Sequence, residues 1–276
     1  MSDPTLAAKA DRFLKLHHGP GILVLANVWD VASARIVEHA GFQAIATSSA
    51  AIANSLGYPD GQHISRPEML GVVRRIAAKV SVPVSADLEA GYGESAEEMA
   101  ETARALIEAG AVGLNLEDGV HEAALIPVGQ HVEKVKRIRE ACEGLGVHAV
   151  INARTDVYLA GIGEPSGRFD RTIERLTAYH HAGADSLFVP GVYDAETIGR
   201  LAKASPGPLN LLANPQSPSI PELERMGVRR LSFGSWPARA AFGLFAQFTK
   251  ELAEKRTFAT LDDWAIPYAD MNRLVS

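Results

Sequence analysis

Two acidic stretches, Ser85-Ala86-Asp87-Leu88-Glu89-Ala90-Gly91-Tyr92-Gly93 and Asn115-Leu116-Glu117-Asp118, each begin where an apolar, strand-like run ends. Carboxylates leaving adjacent strands of an α/β barrel converge on one mouth, which is where such barrels do their chemistry. Like charges held that close are costly unless a cation neutralises them. Hard oxygen donors without histidine or thiolate suit Mg²⁺ or Mn²⁺, and Mg²⁺ keeps several waters while taking one or two carboxylates directly. Asp87 is therefore expected to coordinate directly, with Glu89 and Glu117 holding metal-bound waters. A third run, Ile151-Asn152-Ala153-Arg154-Thr155-Asp156, adds an arginine at the same mouth. Its planar fork suits a substrate carboxylate, since a cation beside a metal site implies an anion bound between them. Structural roles compete: Asp118 and Asp156 also suit helix capping, and Arg154 also suits an ion pair with Asp156 or Glu117.

The elements that must position these groups follow one grammar. A helical stretch ends in a small or turn residue plus glycine, and an apolar run follows, at Gly41, Gly110, Gly183 and Gly227. Glycine just past a helix adopts the left-handed cap at little cost and hands the chain to a strand. Strands are expected at 22–27, 44–47, 82–86, 113–116, 149–153, 186–189, 209–213 and 230–233, with helices between them at 96–109, 132–142, 171–182 and 238–253. Eight strands alternating with helices predict a parallel, eight-stranded (β/α)8 TIM barrel, with an open doubly wound sheet as the structural alternative. No linker divides the chain, so residues 1–276 read as one domain with a tail over 255–276. That tail carries Leu261, Trp264, Ile266, Tyr268, Met271 and Leu274, enough apolar surface to require docking on the barrel or on a neighbouring subunit.

Composition narrows the function. Lys plus Arg number 27 against 33 Asp plus Glu, a net charge of −6 with no basic stripe, which disfavours nucleic acid. No apolar run approaches the ~20 residues of a membrane span, and no signal-peptide pattern is present, so a cytoplasmic protein is expected. The single cysteine, Cys142, excludes an internal disulfide and a cysteine-rich zinc site. Walker, dinucleotide-binding, nucleophile-elbow and zincin motifs are absent. The glycine-rich Gly161–Gly167 stretch reads as a βα loop, and His180-His181 as cations at a helix end.

Further segments carry a family resemblance: Ser33–Phe42, Thr47-Ser48-Ser49, Leu56-Gly57-Tyr58-Pro59-Asp60, Asp87–Gly93, Leu116-Glu117-Asp118 and Ala153–Asp156. In this order and spacing the chain resembles the isocitrate lyase and phosphoenolpyruvate mutase superfamily from about Asn27 through the eighth helix. The resemblance implies an eight-stranded barrel whose last helix is often exchanged between subunits, and hence a homo-oligomer, dimer or tetramer. It implies Mg²⁺ on Asp87, with Asp60, Glu89 and Glu117 reaching it largely through water. It also implies that Ser48, Ser49 and nearby amides bind the carboxylate and keto oxygen of a 2-oxo acid, that Arg154 binds substrate, and that the chemistry passes through a metal-stabilised enolate.

The chain departs from the family twice. Where the lyases carry Lys-Lys-Cys-Gly-His after strand four, it reads Asp118-Gly119-Val120-His121-Glu122-Ala123-Ala124-Leu125, without cysteine. After strand six, where mutases place a histidine and many lyases a glutamate, it reads Val189-Pro190-Gly191. Proton donors or closing groups are then sought on the altered lid, among His121, Glu122, Gln130 and His131. Asn214, after strand seven, is a candidate substrate ligand, or a turn former before Pro215. The leading reading is a Mg²⁺-dependent lyase-like enzyme breaking a C–C or P–C bond of a small 2-oxo or 2-hydroxy (di)carboxylate. The alternatives are a non-catalytic 2-oxo-acid binding protein and a phosphate-sugar enzyme, the latter drawn from Gly234-Ser235 after strand eight.

Overall fold

The computed structural model describes residues 4–120, 124–262 and 264–276. Its strands are β1 (Leu23–Leu25), β2 (Asn27–Val28), β3 (Ile45–Thr47), β4 (Val84–Asp87) and β5 (Gly113–Glu117). A two-rung antiparallel hairpin follows, β6 (Gly119–Val120) with β7 (Ala124–Leu125). Then come β8 (Val150–Arg154), β9 (Ser186–Val189), β10 (Leu209–Leu212) and β11 (Arg230–Ser232). β1 and β2 are one strand parted at Ala26. β1 pairs with β11 and β2 with β3, so the split strand joins both ends of the parallel sheet and closes an eight-stranded barrel. All eight expected strands are present, built from apolar runs buried on both faces as a parallel sheet requires.

The helices are α1 (Pro4–His17), α2 (Val31–His39), α3 (Ser49–Ser55), α4 (Arg66–Ala77), α5 (Ala96–Glu108) and α6 (Val128–Gly144). They continue as α7 (Arg168–His181), α8 (Ala195–Ala204), α9 (Ile220–Arg225), α10 (Trp236–Lys255) and α11 (Tyr268–Val275). Ser65 with Glu68 and Ser95 with Glu98 form capping boxes that start α4 and α5. The four stop glycines of the sequence all take left-handed φ, between +86° at Gly110 and +106° at Gly183.

α1 was not expected from the sequence, and it fills the barrel's lower end. Ala10 and Phe13 are fully buried, and Phe13 lies against Gly113, where a Cβ would come within 2.6 Å of its ring. The chain end is only half docked. α11 packs on α2, where Arg35 Nε donates to the Leu274 carbonyl at 2.6 Å. α10 buries only Ala238, and Phe245 on it is 64% exposed. Among the described residues no helix is long and apolar enough to cross a membrane.

Candidate active site

Asp87 closes β4 and is nearly buried. Its Oδ2 accepts from the Ser49 amide at 2.9 Å and the Ser49 hydroxyl at 2.7 Å, while Oδ1 accepts from Asn115 Nδ2 at 3.2 Å. Its own amide donates to Thr47 Oγ1 at 2.9 Å. The carboxylate is thus clamped by β3, the start of α3 and β5.

Glu89 and Glu117 stand beside it. Glu89 adopts a left-handed conformation, φ +50°, which for a non-glycine residue is a strained state held by its surroundings. The turn presents the Glu89 carbonyl to the Glu117 amide at 2.9 Å and so brings the two residues together. The Glu89 carboxylate accepts from the Tyr92 hydroxyl at 3.0 Å and from the Gln62 amide, and Tyr92 N donates to Gln62 Oε1 at 2.9 Å. Lys134 on α6 pins the same loop by donating to the carbonyls of Ala90 and Gly93. Burial and the Asp87 charge push the Glu89 carboxyl up to about 7, and the same two causes raise Asp60.

Arg154, at the end of β8, gives Nε and NH2 to the two oxygens of Asp156, at 2.6 and 2.9 Å, and NH1 lies 2.6 Å from Glu117 Oε2. The ion pairs that competed with a substrate role in the sequence are therefore both formed. Arg154 nevertheless lines the central cavity with Glu117. Burial raises Glu117 against the pull of Arg154; Arg154, which burial alone would lower, is raised by the charges of Glu117 and Asp156. Asp118 is fully buried and faces away from this group. It accepts from the Asp156 amide at 2.9 Å, Arg175 at 2.8 Å and the Tyr179 hydroxyl at 2.6 Å, tying the strand ends to α7.

These residues surround a cavity of about 200 Å³ at the C-terminal ends of the strands, lined also by Ser48, Ser49, Asp60, Phe188 and Ser235. That is below the ~300–1,000 Å³ of pockets for drug-sized ligands and suits a small acid. A larger groove, about 850 Å³, lies at the N-terminal ends of the strands beside Arg12 and Lys15. No cluster of carboxylates converges there, and barrel chemistry belongs to the opposite face.

Of the other expected site residues that are described, Ser48 lines this cavity and the rest do not. Ser48 caps α3, its hydroxyl accepting from Ala51 N at 3.3 Å. Asn214 forms a turn, with Oδ1 accepting from Gln216 N at 2.8 Å, and it is not among the cavity's lining residues. His121 and Glu122 lie outside the described residues. His131 is not on a lid: α6 starts at Val128, and the ring is fully buried, 4.5 Å from that of Tyr179, where burial lowers it to about 3. Cys142 is likewise buried on α6, its thiol pushed up to about 12 by burial.

Sequence reasoning passed over several neutral residues. Asn115 orients Asp87, Asn152 Nδ2 donates to Asn115 Oδ1 at 2.7 Å, and Asn27 Oδ1 accepts from the amides of Phe233 and Gly234. Period-two alternation, which places 113, 115 and 117 on one face of β5 and 152 and 154 on one face of β8, was the signal that could have found two of them.

Among the described residues no three histidine, cysteine or carboxylate side chains form a ready-made metal cage. Mg²⁺ does not need one, because it is commonly held by one or two carboxylates and completed by water. Two donors saturate Asp87 Oδ2 and only one protein donor reaches Oδ1, which leaves that oxygen a lone pair for a cation. Glu89, Glu117 and Asp60 line the same cavity as Asp87. The donor set is all oxygen, and it fits the ion.

The family model for phosphoenolpyruvate phosphomutase matches residues 13–253. The oxaloacetate decarboxylase of Bradyrhizobium diazoefficiens is 30% identical over 90% of this chain and 86% of its own length. A crystal structure of a Burkholderia cenocepacia protein, whose lyase/mutase assignment is provisional, superposes with a TM-score of 0.90 and 38% identity over 98% of this chain and 96% of that one. An oxaloacetate acetylhydrolase solved with its product oxalate gives a TM-score of 0.86 and 25% identity, covering 97% and 93% of the two chains.

Proposed function

The chain belongs to the phosphoenolpyruvate phosphomutase family, within the isocitrate lyase and phosphoenolpyruvate mutase superfamily, and we propose that it is a Mg²⁺-dependent enzyme that cleaves a C–C or P–C bond of a small 2-oxo or 2-hydroxy (di)carboxylate. The observation that carries this reading is the carboxylate set of Asp87, Glu89, Glu117 and Asp60 around a cavity sized for a small acid, with Arg154 on its wall. Relatives named for oxaloacetate chemistry, one of them solved with oxalate, support a substrate of that class.

In this reading Asp87 would hold the metal directly, with Asp60, Glu89 and Glu117 as the oxygen groups that would hold its waters. When bound, the ion supplies positive charge to the 2-oxo oxygen as negative charge develops there. Ser48 and Ser49 line the position of the substrate's oxo-acid end. Arg154 is fixed by Asp156, so it meets the distal carboxylate without first being ordered. The proton donor belongs to the segment after Glu117, with His121 and Glu122 as its candidates. The protein acts in the cytoplasm as a homo-oligomer, dimer or tetramer, with the exposed face of α10 as contact surface.

The test is incubation of purified protein and Mg²⁺ with oxaloacetate, isocitrate, 2-methylisocitrate, 2,3-dimethylmalate and phosphonopyruvate, following pyruvate, glyoxylate, oxalate and phosphoenolpyruvate. Turnover of one of these is expected, and a silent panel with tight binding would replace the enzyme by a binding protein. The altered lid and Val189-Pro190-Gly191 are the observations that keep that second reading in view.

A further inference from the structure

Arg230 begins β11 inside the barrel and is fully buried. Among the described residues no carboxylate lies within ion-pair distance of it. Its neighbours are neutral: His17 Nε2 at 3.2 Å, Ser85 Oγ at 3.5 Å, Asn115 Oδ1 at 3.3 Å, and the Phe13 ring 5.7 Å from its guanidinium carbon. His17 Nδ1 is 2.8 Å from the Phe13 carbonyl, which accepts only, so the ring proton sits on Nδ1 and Nε2 is left as the acceptor for Arg230. Burial, with Arg230 as a lesser cause, lowers His17 to about 3, so the imidazole is neutral. Burial also pulls Arg230 down to about 9, opposed by the Asp87 charge, and the guanidinium remains a cation at neutral pH.

A buried cation matched only by neutral partners costs stability that an apolar side chain of similar length would not. What the residue does for its neighbours accounts for it better than packing does. Asn115 Oδ1 receives two donors, Asn152 Nδ2 at 2.7 Å and Arg230 NH2 at 3.3 Å. Asn152 could present either end of its own carboxamide, but Arg230 only donates and so fixes which end of Asn115 is oxygen, which turns Nδ2 the other way, onto Asp87 Oδ1 at 3.2 Å. A flipped Asn115 would set an amide NH₂ against the Arg230 guanidinium and an oxygen against a carboxylate. We propose that Arg230, seated on His17 of α1, is a positioning residue for the metal ligand Asp87, acting through the carboxamide of Asn115. This rests on the reading of Asp87 as the Mg²⁺ ligand.

Charge and positioning make opposite demands here. As a nearby positive charge Arg230 opposes cation binding, so its loss by charge alone would tighten Mg²⁺; as a positioning group its loss would weaken it. Isothermal titration of the full chain with Mg²⁺, without substrate, separates the two. Arg230→Met is expected to weaken Mg²⁺ binding by ~10-fold or more, the effect of losing an outer-shell partner. Arg230→Lys keeps the charge and one donor group but cannot bridge His17 and Asn115, and should fall between Met and wild type. Unchanged or tighter Mg²⁺ binding in Arg230→Met overturns the proposal. Should that variant not fold, Arg230→Lys decides: weaker binding than wild type supports positioning, and equal binding refutes it. Absence of Mg²⁺ binding by the wild type would refute the assignment of Asp87, and this inference with it, before any variant is compared.

Discussion

Arg154 and Glu117 are register partners on β8 and β5, and their charged ends meet at 2.6 Å above that shared rung. With Asp156 on its other edge, the guanidinium is held between two carboxylates at the wall of the cavity. Under the proposed function an incoming carboxylate would meet a preset cation whose charge is already partly engaged.

Replacing Arg154 tests that arrangement. Charge-assisted hydrogen bonds contribute about 1.5–3 kcal/mol, so Arg154→Met should lower kcat/KM by roughly 10- to 100-fold at that rate of exchange. Arg154→Lys should recover little, since a point charge cannot serve Asp156 and a substrate together. Steady-state kinetics on the substrate found by the panel decides it, and wild-type kcat/KM in both variants would remove Arg154 from the site.

Asp87→Ala deletes the one carboxylate assigned directly to the metal. Lewis-acid stabilisation is worth several kcal/mol, so kcat should fall by about 10³-fold or more. Chelating the wild type with EDTA should reproduce the loss, and added Mg²⁺ should restore the wild type alone.

The raised carboxyl of Glu89 ties metal binding and stability to pH. Its ordinary value of 4.5 applies to the unfolded chain and about 7 to the metal-free fold. Between those values the unfolded chain has released a proton that the fold still holds, so metal-free stability falls as pH rises through this window, by roughly 3 kcal/mol for this group. Asp60 and Glu117 shift in the same direction. Mg²⁺ compensates the charge, and the rise in Tm on adding it should be larger at pH 8 than at pH 5. An equal rise at both would show that these carboxyls do not face the ion.

Asp118 offers the contrasting case of an acid that supports the fold. Its removal leaves Arg175 buried beside Tyr179 without its counter-charge, and Asp118→Ala should cost about 3–5 kcal/mol. Urea denaturation reads the loss, while KM of the folded fraction should stay near wild type.

The uncovered face of α10 gives a prediction about assembly. Phe245 on α10, and Trp264 and Tyr268 in the tail that follows it, are exposed at 64%, 67% and 87%, more apolar surface than a monomer carries without consequence. Sedimentation should find a dimer or tetramer, and Phe245→Glu should shift it toward monomer. A wild type that sediments as a monomer at micromolar concentration contradicts the assignment of this face.

The barrel was readable in the chain because its signals are local: β-branched runs, then helices that stop at glycine. α1 was not, since what it buries is Phe13 against a gap at Gly113 and His17 against Arg230, partners a hundred and more residues away. The charged part of the site announced itself as repulsion written into adjacent strand ends. Asn115 and Asn152 did not, because a neutral amide carries no such signal until its two ends are seen to face different partners. His131 was misplaced because the loop after β5 was read as longer than it is, whereas Pro127 stops the hairpin and α6 begins at once.

The β6–β7 ladder has one further consequence. Gly119 pairs with Leu125 and Val120 with Ala124, and the Ile126 amide returns to the Asp118 carbonyl at 2.8 Å. The two described flanks, 118–120 and 124–126, are thus tied to each other, and the tie is rooted on a buried aspartate bonded to Arg175 and Tyr179 rather than to the carboxylates of the cavity.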